Sequence, residues 1–223
     1  MKAMILAAGR GERLRPLTER LPKPLVEAGG RTLLDWHLQR LSRAGFRDAV
    51  INVSHLAGQI VSHVGDGARY GLRVAWSREA EPLETAGGLA QARALLGEAP
   101  FLLVNSDIYC ELDFAPLRET SLGANLAHIV LVPNPSHHPQ GDFTLEAGSV
   151  GNGAAPRYTY AGIAVVSPEL VAGVRAGEKA PLGPLLRKAA GESRLTGELY
   201  RGLWTDVGTT TRLDELRTLL ASR

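Results

Sequence analysis

The chain has 223 residues, 44% hydrophobic and 22% charged, with 25 basic against 23 acidic side chains and a formal net charge of +2. That size suits one large α/β domain with a proper core, and the near-balance of charge excludes a surface built for nucleic acid or for a membrane. The single cysteine, Cys110, excludes an internal disulfide framework and reads as a small buried hydrophobe in a reducing cytoplasm, since no histidine stands near it to make it a nucleophile.

The apolar start, Ala3 to Ala8, is six residues long, short of a signal-peptide core. No apolar run approaches the ~20 residues of a membrane span, so a soluble cytoplasmic protein is expected. Met4-Ile5-Leu6 reads as a buried strand that breaks into the loop Gly9-Arg10-Gly11-Glu12-Arg13, after which Lys23 stands between Pro22 and Pro24. Leu25 to Ala28 is a short strand ended by Gly29-Gly30. Leu33, Leu34, Trp36, Leu38 and Leu41 recur at helical spacing until Gly45. Ala49 to Val53 is a strand, Leu56 to Val64 a helix and Leu72 to Trp76 a strand. Thr85 is placed to cap a helix running through Leu89, Ala92 and Leu96. Phe101 to Val104 is apolar without alternation, the mark of a central strand covered on both faces.

After Asp107 the texture changes. Ile129 to Val132 is a strand leading into a Pro-rich loop, Pro133 to Pro139, that no helix survives. Phe143 to Glu146 and Thr159 to Val166 are strands separated by the Gly-rich run Gly148 to Gly153. Short helices fit Pro168 to Val174 and Leu182 to Ala190. Leu203 to Asp206 is a last strand, and Asp214 to Leu220 lies in a closing helix. The alternation predicts right-handed βαβ units and an α/β fold: a Rossmann-like mixed, mainly parallel sheet flanked by helices. No linker, repeat or charge block divides it. One domain over 1–223 is expected, with a nucleotide-binding half to about residue 110 and a second half, 111–223, that shapes an acceptor site.

A strand that delivers two glycines and a cation into a loop is how α/β proteins hold phosphates. Glycine lets the backbone approach the ligand so that successive N–H groups point at phosphate oxygens. Arg13 adds a planar fork for two oxygens and Lys23 a compact charge, whose direction the flanking prolines hold cheaply. A dinucleotide fingerprint is excluded because Leu14 occupies the place of its third glycine. A Walker A loop is excluded because no Gly-Lys-Ser/Thr follows. The whole string, Gly-x-Gly-x-Arg-Leu-Arg-Pro-Leu-Thr followed by Pro-Lys-Pro, resembles the signature of the sugar-1-phosphate nucleotidyltransferases. By position, the family's triphosphate-binding and catalytic Arg and Lys are Arg13 and Lys23, with Gly11 and Glu12 in the same nucleotide loop. Glu12 departs from the usual Thr, and its carboxylate must point away from phosphates or be neutralised.

Asp107 follows the most apolar strand, where ligands of open parallel sheets sit. A carboxylate facing a triphosphate calls for an intervening cation, which argues for Mg²⁺; a cap on the next segment is the competing reading. Trp204-Thr205-Asp206-Val207-Gly208-Thr209 is similar to the family's Trp-x-Asp-x-Gly-Thr segment, whose Asp shares that metal; an Asx turn or helix cap competes here too. The resemblance therefore implies a Mg²⁺ cofactor on Asp107 and Asp206. Glu81 to Ala92 is similar to the family's Gly-Leu-Ala-Gln-Ala segment, and implies base binding by backbone groups at Leu83 and Gly88, with a tight helix entry as the plain alternative. Asn105, just before Asp107, can bond hydroxyl or carbonyl groups of the sugar phosphate, and Gly141 matches a family glycine whose backbone contacts the sugar, with a turn or cap as the plain alternative at both. His137 and His138, in a Pro-rich loop, are expected to be solvated. Ser106 replaces a usual glycine, and the family's Leu-Glu-Glu-Lys-Pro-type sugar segment is missing, with Ala147 to Ala155 in its place. Arg157 and the open Gly148 to Gly153 stretch are where a bulky or anionic sugar substituent would be received. The resemblance implies transfer of UMP from UTP to a sugar 1-phosphate with release of pyrophosphate, and no nucleic-acid or membrane partner. It leaves oligomeric state open and is compatible with a monomer. Another nucleotide or sugar, or a non-catalytic sensor of sugar nucleotides, stays open.

Overall fold

The computed structural model describes residues 1–154 and 156–222; Ala155, the end of the Ala147–Ala155 segment, lies outside the described residues. The chain runs β1 (Ala3–Leu6), three 3-10 turns (Glu12–Leu14, Leu17–Glu19, Lys23–Leu25), the small hairpin β2 (Glu27–Ala28) and β3 (Arg31–Thr32), then α1 (Leu33–Arg43). It continues through β4 (Asp48–Val53), α2 (Ala57–Val64), β5 (Arg73–Arg78), α3 (Glu84–Leu96), β6 (Phe101–Asn105), β7 (Ile108–Cys110) and α4 (Ala115–Arg118). The second half holds β8 (Ala127–Val132), β9 (Phe143–Glu146), β10 (Ser149–Gly151), β11 (Arg157–Val166), α5 (Leu182–Gly191), β12 (Leu195–Leu199), β13 (Trp204–Asp206) and α6 (Thr210–Ala221).

A nine-stranded sheet in the order β5-β4-β1-β6-β11-β8-β12-β10-β9 spans the molecule. Strands β5, β4, β1 and β6 are parallel, with Ile5 between Ile51 and Val104. From there the sheet is mixed: β11 runs antiparallel to β6 and β8, β12 is parallel to β8, and β9 and β10 close the edge antiparallel. The α/β class is as the alternation predicts, and the parallel order belongs chiefly to the first half. Successive residues of the central strands feed opposite layers, because side chains alternate along a strand. Ile5, Ile51 and Val104 join Leu34, Leu38 and Leu41 of α1 and Ile60 of α2. Met4, Val50 and Leu103 join Leu89 of α3 and Leu186 of α5. Both faces are covered, which is why β1 and β6 show no polar alternation.

Local signals explain where the helices begin. Thr32 and Asp35 form a reciprocal capping box on α1, at 3.0 and 3.2 Å. Helix α3 starts differently from the Thr85 cap expected. No side chain caps it; instead the N–H groups of Ala86 and Gly87 donate to the Ala180 carbonyl at 2.9 and 3.1 Å. That backbone approaches so closely that a Cβ on Gly87 would lie 2.2 Å from the Glu178 carbonyl oxygen. Three further differences stand out. Leu25 ends a 3-10 turn instead of opening a strand, Pro168–Val171 is a 3-10 turn, and the Gly148 to Gly153 run contains β10. Among the described residues no helix is long and apolar enough to cross a membrane.

Candidate active site

The carboxyl ends of β1, β4 and β6 open onto a cavity of about 820 Å³ whose walls include Gly11, Glu12, Arg13, Lys23, Asn105 and Asp107. Its floor is built first from backbone. Gly11 has φ 65°, and a Cβ there would sit 2.9 Å from the Thr18 methyl and 3.1 Å from Lys23 Cβ, so conformation and space both demand glycine. The Thr18 hydroxyl ties the loop down by donating to the Gly11 carbonyl at 2.8 Å. Leu14, fully buried, anchors the 3-10 turn that leaves its neighbour Arg13 exposed beside the cavity. Arg13 has no ion pair among the described residues. Glu12 leans toward Arg15, 3.9 Å away, the neutralising neighbour its position requires.

Lys23 is mostly buried, and its Nζ lies 2.6 Å from Asp107 Oδ2. Asp107 follows β6, and β7 then pairs antiparallel with β13 in a separate two-stranded ribbon that sets Asp206 opposite Ile108. The Val207 N–H donates to the Asp107 carbonyl at 2.7 Å, and Trp204 Nε1 fastens β13 to the Ala161 carbonyl of β11 at 2.9 Å. Asp107, just before β7, and Asp206, the last residue of β13, are far apart in sequence and stand at the same end of this ribbon. Asp206 itself does not line the main cavity, although Gly208 does. Arg212 Nη1 lies 2.5 Å from both Asp206 oxygens, and His137 Nε2 lies 3.0 Å from Oδ1. Among the described residues no group of three or more His, Cys, Asp and Glu side chains could hold a metal unaided. Hard carboxylates on two segments tied together by the Val207–Asp107 backbone bond, each matched by a cation of the chain, nonetheless suit a hard dication that completes its shell with phosphate oxygens and water.

Part of the wall is a buried polar chain through Asn52 and Glu79. Asn52 Oδ1 accepts from the Ala7 N–H at 2.7 Å, Asn52 Nδ2 donates to Glu79 Oε1 at 2.6 Å, and Glu79 Oε2 accepts from the Leu83 N–H at 2.9 Å. Gly88 backs onto this pair, since a Cβ there would be 2.8 Å from Asn52 Nδ2 and 2.9 Å from Glu79 Oε1. Leu83 and Gly88 therefore stand behind the cavity, whose wall here is Asn52, Glu79, Glu81, Pro82, Glu84 and Thr85. The Leu83 carbonyl also accepts from the Ala180 N–H at 3.0 Å.

Asn105 lines the cavity, and Gly162 on β11 makes room for it: a Cβ there would fall 2.8 Å from Asn105 Nδ2. Gly141 lies away from this wall, in the loop after β8. It has φ 60° and packs against Asn134. That loop is tied down by Asn134 and Asp142, and Arg157 is engaged with the Asp142 carbonyl. His138 pairs with Asp142 at 3.1 Å, and neither histidine is merely solvated as expected. Cys110 is buried, and burial pushes its thiol up, which fits the inert reading. Beneath the ribbon, His37 is held down to about 4 by burial, reinforced by Arg40 and opposed by the Ile108 backbone and then by Asp107. The residues missed by sequence reasoning are Asn52, Glu79 and Arg212. Asn52 carried a usable signal, a polar residue in an apolar strand end like Asn105; the other two did not.

The chain matches the protein-family model described as nucleotidyl transferase over residues 2–143. It is 48% identical over 230 residues to N-acetylmuramate α-1-phosphate uridylyltransferase of Neisseria meningitidis serogroup B, covering 98% of each chain. To the enzyme of that name from Caulobacter vibrioides it is 34% identical, over 92% of this chain and 91% of that one. Among solved structures, a Bacillus anthracis protein assigned as a glucose-1-phosphate thymidylyltransferase and crystallised with a sucrose superposes with a TM-score of 0.87 at 20% identity, over 100% of this chain and 96% of that chain. HddC from Yersinia pseudotuberculosis complexed with GMP-PN gives 0.76 at 21% identity, over 98% of each chain. These last two likenesses establish the fold.

Proposed function

The chain belongs to the nucleotidyl transferase family, and from that premise we propose that it transfers UMP from UTP to N-acetylmuramate α-1-phosphate. Pyrophosphate leaves and UDP-N-acetylmuramate forms, a step of cell-wall sugar recycling in the cytoplasm. The observation that carries this reading is the gathering of Gly11, Arg13, Lys23 and Asp107 at one sheet edge, in a chain 48% identical along its length to an enzyme of that name.

A phosphate oxygen of the sugar attacks the α-phosphorus of UTP in line; the new O–P bond forms as the bond to the β-phosphate oxygen breaks. The attacking oxygen is already an anion, so no general base is needed. What the chain supplies is position and charge. The Gly11 loop presents backbone N–H groups to the triphosphate, and Arg13, exposed and without an ion pair among the described residues, takes the departing phosphates. Lys23, anchored within reach of Asp107, turns its ammonium to the α-phosphate. Glu79 and Asn52 brace the segment before α3 against which the base lies. Asn105 bonds the sugar phosphate, and Gly141 keeps the loop after β8 close on the sugar side. Asp107 and Asp206 would hold Mg²⁺, which, when bound, neutralises charge on the phosphates.

A guanylyl transfer is the competing reading, favoured by 32% identity to the mannose-1-phosphate guanyltransferase of Aspergillus fumigatus, over 93% of this chain and 61% of that protein. Pyrophosphate release from UTP, CTP, GTP and dTTP, each offered N-acetylmuramate, N-acetylglucosamine and mannose 1-phosphates, separates the two. UTP with N-acetylmuramate α-1-phosphate should give the highest kcat/KM. Equal use of N-acetylglucosamine 1-phosphate would reduce the muramate reading to tolerance, and a preference for it, or for GTP, would refute that reading.

A further inference from the structure

Asp206 does not stand ready for a metal. A single nitrogen, Arg212 Nη1, lies 2.5 Å from both of its oxygens, so one cationic atom covers the donors that a hard ion would use. The arginine is held in that place and only 12% of its side chain is exposed. Thr209 caps α6 by accepting from Arg212 N at 3.3 Å, and the same hydroxyl lies 3.4 Å from Arg212 Nε. His137 Nε2, brought in by the loop after β8, lies 2.7 Å from Nη1.

Gly208 points the same way. Its φ is not among the positive ones, so its backbone conformation is open to any residue. A side chain would instead displace the arginine: a Cβ would lie 2.2 Å from Arg212 Nη2, 2.9 Å from Arg212 Cζ and 3.0 Å from Asp206 Oδ2. The glycine two positions after Asp206 is thus accounted for by the guanidinium folded back over that carboxylate. Asp107 is different, since Lys23 contacts only its Oδ2, at 2.6 Å.

We propose that Arg212 is a positioning residue that keeps the place of the divalent cation at Asp206, with Gly208 as the vacancy that lets it do so. It neutralises and orients Asp206 in the substrate-free protein and must be displaced for the carboxylate to become a ligand. This rests on the reading that Asp107 and Asp206 hold Mg²⁺. The apparent metal affinity is then lowered by the fraction of molecules in which Arg212 covers Asp206. A protein nine-tenths covered binds metal about tenfold more weakly than one uncovered.

Mn²⁺ binding to the substrate-free protein, read by the electron paramagnetic resonance of the free ion, tests this without nucleotide, sugar or turnover. Arg212→Met should bind Mn²⁺ about tenfold or more tightly than wild type. Gly208→Ala keeps the arginine but pushes its guanidinium aside, so its affinity should rise in the same direction, and it decides the matter alone if Arg212→Met does not fold. Adding Asp206→Asn should abolish the gain in either background. Unchanged or weaker Mn²⁺ binding in the variants would overturn the proposal and leave Arg212 as a brace for Asp206. Mn²⁺ uptake by none of the forms would overturn it together with the metal reading beneath it, whereas failure of the UTP assay would touch neither.

Discussion

Glu79→Gln isolates the buried chain that supports the base side of the cavity. Glu79 is 7% exposed and accepts from two fixed donors, Asn52 Nδ2 at 2.6 Å and the Leu83 N–H at 2.9 Å. A glutamine offers one oxygen and one NH₂, so only one donor can be accepted while the other faces a second donor. Asn52 cannot flip to help, because its Oδ1 is held by the Ala7 N–H at 2.7 Å. One buried donor left unpaired costs ~1–3 kcal/mol, and the surviving bond, now neutral, weakens by about 1 kcal/mol. The expected loss is therefore ~2–4 kcal/mol, with a fall in Tm on the order of 10 °C. Urea unfolding measures the first and a thermal melt the second. Leu83 precedes α3, so the KM for the nucleotide should rise while kcat at saturation changes little. A loss below ~0.5 kcal/mol would mean that water or a rearranged Asn52 satisfies the donors, and the bracing role would be wrong.

Asp107→Asn should lower turnover by more than ~10²-fold, the scale of removing one preorganised charge contact, in a protein that still folds; near-normal rates at saturating Mg²⁺ would refute its role as a ligand. Arg13→Ala should lower kcat more than it raises the nucleotide KM, because its charge counts most as the triphosphate splits, and a pure KM effect would make it an anchor only. His37 should make the fold acid-sensitive. Its folded value of about 4 lies below the ordinary 6.5, so between those values the unfolded chain takes up a proton that the folded one refuses. Stability is then complete above about pH 6.5 and falls by up to roughly 3 kcal/mol as pH drops through 4, so the urea midpoint of wild type should fall across that window by more than that of His37→Leu.

The parts of the molecule legible in the sequence are those where geometry restricts residue type. Gly11 must be glycine on two counts, and β1 and β6 must be apolar on both faces, so both left an unambiguous trace. Lys23, Asn105 and Asp107 could be placed because each is fixed by a short segment next to such a strand. Only half of the β7–β13 ribbon could be read: Leu203 to Asp206 shows as a strand, whereas the three-residue β7 is defined by its pairing with β13 across the chain. Strand β12 was hidden by Gly197, present because a Cβ would lie 2.6 Å from the Ile129 carbonyl oxygen in the neighbouring strand. Arg212 reaches Asp206 around a helix cap, and His137 reaches it from a different loop; no local pattern encodes either approach. Leu83 was expected at the base, but its N–H donates to Glu79 and its carbonyl accepts from Ala180, a pairing no local pattern encodes.

The β7–β13 ribbon also sets an order of events during synthesis. The strands that shape the cavity, β1, β4 and β6, together with Lys23 and Asp107, leave the ribosome while Asp206 is still to be added. At that length the chain carries Gly11, Arg13, Lys23 and Asp107 but not yet Asp206, Gly208 or Arg212. Closing so long a loop costs little more than closing a short one, because the entropy grows only logarithmically with length. The step that joins β13 to β7 therefore completes the acid pair last, and it brings Arg212 with it on the very next helix.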